Sequence, residues 1–333
     1  MLAEPTTAIP VLSLFSGAGG LDYGFVKAGF LPVLAIDWDV AATRTFNANF
    51  AGNVARAGDL AGLSPAAVTR WLSRLSPPRG VIGGPPCQGF SYGNTKASPD
   101  DPRNELPFRY CELLAALNRR WSIDFFVFEN VLGLRSPKHR DRLRDIIRRF
   151  SEAGFNVAQA ELDAERFRVP QRRRRLFLVG INRDTFRGDS FEWPNGTEDL
   201  RTVRQAISGL PEPILRTPGL TADDIPYHAN HWTMPPRSRR FADNDFNGSR
   251  SFRRLEWDQP SWTVAYGNRE IHIHPDGKRR LSILEAMLLQ GFPKKFVLQG
   301  NFSEQVQQVS NAVPPPVARA VATAIRKQLY TRQ

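Results

Sequence analysis

In Gly83-Gly84-Pro85-Pro86-Cys87-Gln88-Gly89-Phe90-Ser91, a proline pair stands directly before a cysteine. The apolar run 80–83 in front of it reads as a strand, so a stiff loop at a strand end holds Cys87 out of the core. Backbone amides at a following helix start would lower the thiol pKa and favour thiolate, a strong nucleophile. The second cysteine, Cys111, lies in a predicted helix beside Leu113 and Leu114 and reads as a plain core residue.

Other groups that can do chemistry recur at strand ends. Phe126-Val127-Phe128-Glu129-Asn130-Val131 places Glu129 at the end of an apolar strand. A partly buried glutamate can be protonated near neutral pH and then donate a proton or hydrogen bond. Its plainer reading is a paired structural carboxylate. In Gln171-Arg172-Arg173-Arg174-Arg175-Leu176, strand alternation puts Arg173 and Arg175 on one face and Arg172 and Arg174 on the other. Phe15-Ser16-Gly17-Ala18-Gly19-Gly20-Leu21-Asp22 is a glycine-rich turn that lets a nucleotide approach the backbone. Asp22 stands where the dinucleotide fingerprint has its third glycine, which speaks against a nicotinamide-dependent oxidoreductase. Asp37 is placed to accept hydrogen bonds from ribose hydroxyls, or to cap a helix. Trp38 beside it can stack on an adenine or the sugar. Asp59 can read an adenine amine or serve as a turn residue.

The elements that must position these groups alternate in type. Strands are predicted at 11–15, 31–36, 53–57, 80–83, 124–128, 155–162 and 176–181. Helices are predicted from Gly20 to about Gly29 and over 39–49, 64–75, 104–118 and 138–153. This alternation predicts parallel strands with helices on both faces, and ligands outside the carboxyl ends of those strands. From about 182 to 271 the periodicity weakens. Four of the seven tryptophans (Trp193, Trp232, Trp257 and Trp262) fall there, which predicts a small packed domain rather than a linker. Helices resume at about 281–290 and 317–329.

The chain has 333 residues, 41% of them hydrophobic and 23% charged, which fits a globular protein with a real core. Its formal net charge of +12 favours a polyanionic partner, nucleic acid first. With two cysteines there is no disulfide scaffold. No signal peptide, spanning segment or metal site is read, so a cytoplasmic protein is expected.

Taken together, these motifs resemble the DNA (cytosine-5-)-methyltransferase family of bacterial restriction–modification type. The resemblance also takes in Glu285, Leu289-Gln290-Gly291-Phe292-Pro293 and Asn311-Ala312-Val313-Pro314, in the family's order along nearly the whole chain. It implies an α/β fold, a Rossmann-like doubly wound methyltransferase domain with a smaller, irregular target-recognition domain. The catalytic domain would comprise 1–184 plus 304–333, and the target-recognition domain 185–303. Phe15, Gly17, Gly19, Asp37, Trp38, Asp59 and Asn311 would bind S-adenosyl-L-methionine. Cys87 would be the nucleophile and Glu129 would hold the base edge, with Arg173 and Arg175 beside it. Thr263 matches a family threonine near the DNA backbone. Two departures stand out: Ser310 where the family usually has glycine, and Leu284 where an arginine commonly precedes Glu285.

The implied reaction is methyl transfer to carbon 5 of a flipped-out cytosine in double-stranded DNA. A monomer and a possible cognate endonuclease are the expected context. Two other readings stay open on these residues: an RNA cytosine methyltransferase, whose usual Cys-Phe-Thr signature is absent here, and a catalytically silent DNA-binding module.

Overall fold

The computed structural model describes residues 8–86, 101–186, 191–237, 241, 253–263 and 272–330. Strands and helices alternate through β1 (Ile9–Leu14), α1 (Gly20–Lys27), β2 (Phe30–Asp37), α2 (Val40–Asn49), β3 (Ala55–Ala57), α3 (Pro65–Leu72) and β4 (Gly80–Gly83). They continue with α4 (Leu106–Trp121), β5 (Phe125–Asn130), α5 (Arg140–Glu152), β6 (Phe155–Asp163) and β7 (Arg174–Asn182). Local chemistry sets the starts. Asp39 accepts from the amides of Ala41 and Ala42 at the head of α2, and Ser64 caps α3 with Pro65 as its first residue.

The seven strands form one sheet in the order β3-β2-β1-β4-β5-β7-β6. Pairing from β3 through β5 is parallel. β7 runs antiparallel to both β5 and β6, which corrects the expectation of a wholly parallel sheet. The link 164–173, with a single helical turn at Ala164–Phe167, is too short for a crossover and turns the chain straight back. Strand order reverses direction between β1 and β4, so the loops leaving these two neighbours open the crevice where doubly wound sheets bind ligands.

Each face of the sheet carries a core. On one side Leu12, Leu14, Val81, Phe126 and Phe128 meet Tyr110 of α4 and Phe150 of α5. On the other, Val11, Ile82, Val127 and Phe177 meet Phe25 of α1 and Val317, Val321 and Ile325 of α9 (Pro315–Tyr330). Helices α1 and α9 pack closely: a Cβ on Gly24 would lie 2.4 Å from that of Ala318. Arg326 donates to the carbonyl of Ala28 at 2.8 Å, and Tyr330 to Asp124 at 2.6 Å.

A third core gathers α6 (Val203–Ile207), α7 (Ile283–Leu289) and α8 (Phe302–Asn311) around Trp232, Leu255 and Phe296. A short parallel pair, β8 (Ile214–Leu215) with β9 (Trp232–Thr233), accompanies it. Trp257 packs there too. Trp193, however, lies with Phe191 against the sheet and α9, and Trp262 is exposed. Glu285 is buried and receives both terminal nitrogens of Arg279, each at 2.9 Å. Leu284 is fully buried, so the guanidinium partner of Glu285 comes from Arg279 instead. Helix α8 was not expected; its start carries a capping box between Asn301 and Glu304.

Asp22 is wholly buried in the first turn of α1. Among the described residues, neither of its carboxylate oxygens, nor the hydroxyls of Ser13 and Ser16, has a partner that meets hydrogen-bond geometry. Burial pushes its carboxyl up to about 7, with the nearby Ser13 hydroxyl pulling the other way. A raised acid favours the folded state most below pH 4, and that contribution is lost as pH climbs to 7. Asp22→Asn should therefore raise unfolding free energy by roughly 2–4 kcal/mol at pH 8 and far less at pH 4. Denaturant melts at the two pH values check this; an equal change at both would refute it.

Candidate active site

Two clusters form at the carboxyl ends of the strands. The first begins where β1 ends. Phe15 adopts a left-handed backbone (φ 53°), costly for a side chain of this kind and common at functional turns. Ser16 N then donates to the carbonyl of Ile36 at 3.1 Å, and Gly17 N to Asp37 Oδ2 at 2.7 Å. Asp37 Oδ1 also accepts from Asp39 N at 2.9 Å. The carboxylate at the end of β2 thus holds the glycine turn against the strand beside it. Burial pushes its carboxyl up, while the two amides pull it down.

Gly17 (φ 53°) faces open space: a Cβ built there meets nothing within 4 Å. Gly19 (φ 88°) precedes α1, and a Cβ on it would lie 2.5 Å from the Phe50 ring. Trp38 is 68% exposed next to Asp37. Asp59 is exposed and accepts from Ala61 N at 2.9 Å, while Gly58 N donates to the carbonyl of Asp37 at 2.8 Å. Asn311 is exposed at the end of α8, and the following Ala312 and Val313 lie against Gly20. An open glycine turn, an exposed indole and two exposed polar side chains make a cradle that fits a nucleoside-bearing cofactor.

The second cluster is built by β5 and β7. Their antiparallel register pairs Glu129 with Phe177, so period two brings Arg175 and Arg173 to the face of Glu129. Arg175 Nε lies 3.2 Å from Glu129 Oε1. Glu129 is 8% exposed and Arg173 2%. Burial pushes the Glu129 carboxyl up, opposed by Arg175 and then Arg173. Burial also presses the Arg173 guanidinium down, helped by Arg175. Arg173 Nη2 donates to the carbonyl of Ser310 at 2.9 Å, which ties this cluster to the end of α8. No sequence feature pointed to that bond, because it uses a main-chain oxygen.

The loop after β4 runs across this pair. Asn130 Nδ2 donates to the carbonyl of Pro85 at 3.3 Å, and Gly84 leaves only enough room for the Glu129 carboxylate. Pro86 is the last residue described here; Cys87 lies outside the described residues. Cys111 is buried in α4, its thiol pushed up to about 12 by burial, and is unsuited to nucleophilic attack. Thr263 Oγ1 donates to the carbonyl of Arg172 at 2.6 Å, beside the arginine run. The described residues thus bring Glu129, Arg173 and Arg175 together, with the glycine turn, Asp37 and Trp38 at the neighbouring strand ends.

Comparison with known proteins adds an independent line. A model of the C-5 cytosine-specific DNA methylase family matches residues 9–327. Type II methyltransferase M.MthTI of Methanothermobacter thermautotrophicus is 32% identical, covering 96% of this chain and 97% of its own. Type II methyltransferase M.FnuDI of Fusobacterium nucleatum is 31% identical, covering 97% and 96%. Among solved structures, a prophage-encoded protein of E. coli, described as a DNA modification methyltransferase, superimposes with a TM-score of 0.79 at 25% identity, over 97% of this chain and 99% of that one. The S. pombe Dnmt2 methyltransferase reaches 0.67 at 17% identity over 97% and 99%, a likeness of fold.

Gly84 offers a direct test of the second cluster. A Cβ there would fall 2.8 Å from Glu129 Oε2, the end of a side chain that can swing. Gly84→Ala should cost only about 1–2 kcal/mol in a thermal melt while turning Glu129 away from Arg175. A crystal structure of the variant that keeps their 3.2 Å separation would overturn this geometry.

Proposed function

Since the chain belongs to the C-5 cytosine-specific DNA methylase family and is a DNA (cytosine-5-)-methyltransferase, we propose that it methylates a flipped-out cytosine through a covalent bond to Cys87. One observation carries this reading: a buried glutamate with two arginines, Glu129, Arg175 and Arg173, stands against the Gly84–Pro86 loop that leads into Cys87.

S-adenosyl-L-methionine, when bound, supplies the methyl group from its sulfonium. Phe15, Gly17, Gly19, Asp37, Trp38, Asp59 and Asn311 are the residues to hold it. Cytosine carbon 5 is a weak nucleophile until something adds to the ring. The Cys87 thiolate attacks carbon 6, which breaks aromaticity and makes carbon 5 enamine-like. Glu129 holds ring nitrogen 3 and the exocyclic amine; its raised pKa suits it to carry the proton that nitrogen 3 needs as charge develops. Arg175 holds the ring carbonyl oxygen, and the charge of Arg173, anchored on the Ser310 carbonyl, steadies the carboxylate electrostatically. After methylation a base removes the carbon 5 proton, the carbon–sulfur bond breaks, and Cys87 leaves as thiolate.

The reacting atoms are shielded in a duplex, so the target nucleotide swings out at a cost of roughly a few kcal/mol. Phosphate contacts by the chain's excess cations offset this and make binding salt-dependent. We assign catalysis to 1–184 with 304–333 and target recognition to 185–303. Relatives named Type II methyltransferases support a modification role in a restriction–modification system; a monomeric enzyme, a short DNA site and a cognate endonuclease are part of the same proposal.

A duplex carrying 5-fluorocytosine tests the scheme, because fluorine cannot leave as a proton does. With S-adenosyl-L-methionine present, the wild type should form a denaturation-resistant adduct whose mass maps to Cys87. Cys87→Ser should form none and lose methyl transfer by more than ~1,000-fold, with cofactor binding near normal. Turnover by Cys87→Ser near the wild-type rate would refute the assignment.

A further inference from the structure

Where the segment 261–263 meets the start of β7, main-chain bonds join them. Ser261 N donates to the carbonyl of Pro170 at 2.9 Å, and Arg172 N to that of Ser261 at 2.8 Å. The Thr263 hydroxyl closes the join on the Arg172 carbonyl. Neither the Arg172 guanidinium nor the Trp262 ring takes part.

These two side chains do something else. Trp262 is 38% exposed, and its ring carries two cations: Arg172 Cζ lies 5.1 Å and Arg253 Cζ 4.0 Å from its centroid. Arg172 also donates to Gln259 Oε1 at 2.9 Å and sits 3.6 Å from Glu165. Arg253 meets no carboxylate within ion-pair distance among the described residues. Its backbone is fixed, since Ile273 N donates to the Arg253 carbonyl at 2.8 Å and Leu255 N returns to Ile273 at 3.0 Å. Two like charges share one exposed indole, and among the described residues one of them has no carboxylate partner. They present guanidinium edges whose donors suit a bidentate anion while the faces rest on the ring. Arg173 of the buried cluster is the residue next to Arg172.

We infer that Arg172, Trp262 and Arg253 form a phosphodiester clamp that grips the DNA strand beside the extruded nucleotide. The inference rests on the methyltransferase reading above and extends it to a specific backbone contact. A clamp of this kind reads no bases. It sets the register of the strand, and the stitched segment passes that register to Arg173 and Arg175.

Duplex binding across a salt series tests it, using fluorescence anisotropy on a matched and a mismatched duplex. Arg253→Ala and Arg172→Ala should each reduce the slope of log Kd against log salt by about one. Each should weaken both duplexes by a similar factor and leave cofactor titration unchanged. Trp262→Ala should also reduce the slope, and Trp262→Phe should restore it. Slopes unchanged in both arginine variants, with salt-dependent binding by the wild type, would overturn the clamp alone. Loss in both tryptophan variants but in neither arginine variant overturns it too, since that marks a packing role. A wild type that fails to bind duplex DNA would instead sink the reading on which the clamp rests.

Discussion

Glu129 gives up its water at the end of a strand buried on both faces, and a carboxylate cannot do that without opposite charge nearby. Arg175 and Arg173 supply it, and they can do so only because β7 runs backwards beside β5. In a parallel arrangement the start of β7 would lie at the far end of the sheet. The reversal costs the sheet its uniformity and brings three charged groups to one spot. The match is deliberately incomplete: burial still raises the glutamate and lowers Arg173.

A second constraint is the place where the strand order reverses. The loops from β1 and β4 leave adjacent strands there and diverge. Asp37 fastens the first of them through Gly17 N, and Asn130 fastens the second through the carbonyl of Pro85. Each loop is therefore held by a side chain from the end of the strand next to its own. The left-handed Phe15 is tolerable because these bonds fix the turn on its far side. Ser310 joins the two clusters, since its carbonyl takes the Arg173 guanidinium one residue before Asn311.

Much of this was legible in the residue pattern. The buried strands announce themselves as short apolar runs, and their boundaries agree with the structure to within a few residues, as with Gly80–Gly83. Hydrophobic periodicity carries no direction, however, so the reversal of β7 was invisible to it. Helix α8 escapes that pattern because its buried face carries Gln305 and Gln308 among Phe302, Val306 and Val309, although Asn301 and Glu304 mark its start. Trp193 packs on the core of the sheet and α9 rather than in the small domain, because composition counts tryptophans without saying what they touch. Long-range partners such as the Ser310 carbonyl for Arg173 come from pairing across the chain, which spacing alone does not encode. Cys87 stands out in sequence more than any other residue, and the chemistry assigned to it rests on that and on the family.

The tight seat of α9 on α1 has a consequence in time. Residues as far apart in sequence as 298 positions complete one face of the sheet, with Ala318 against Gly24 and Arg326 on Ala28. During synthesis on the ribosome, β1 and α1 emerge before α9 and must wait with apolar surface uncovered until it arrives. A polypeptide that stops short of α9 therefore carries an open hydrophobic flank on the sheet, a target for chaperones or degradation.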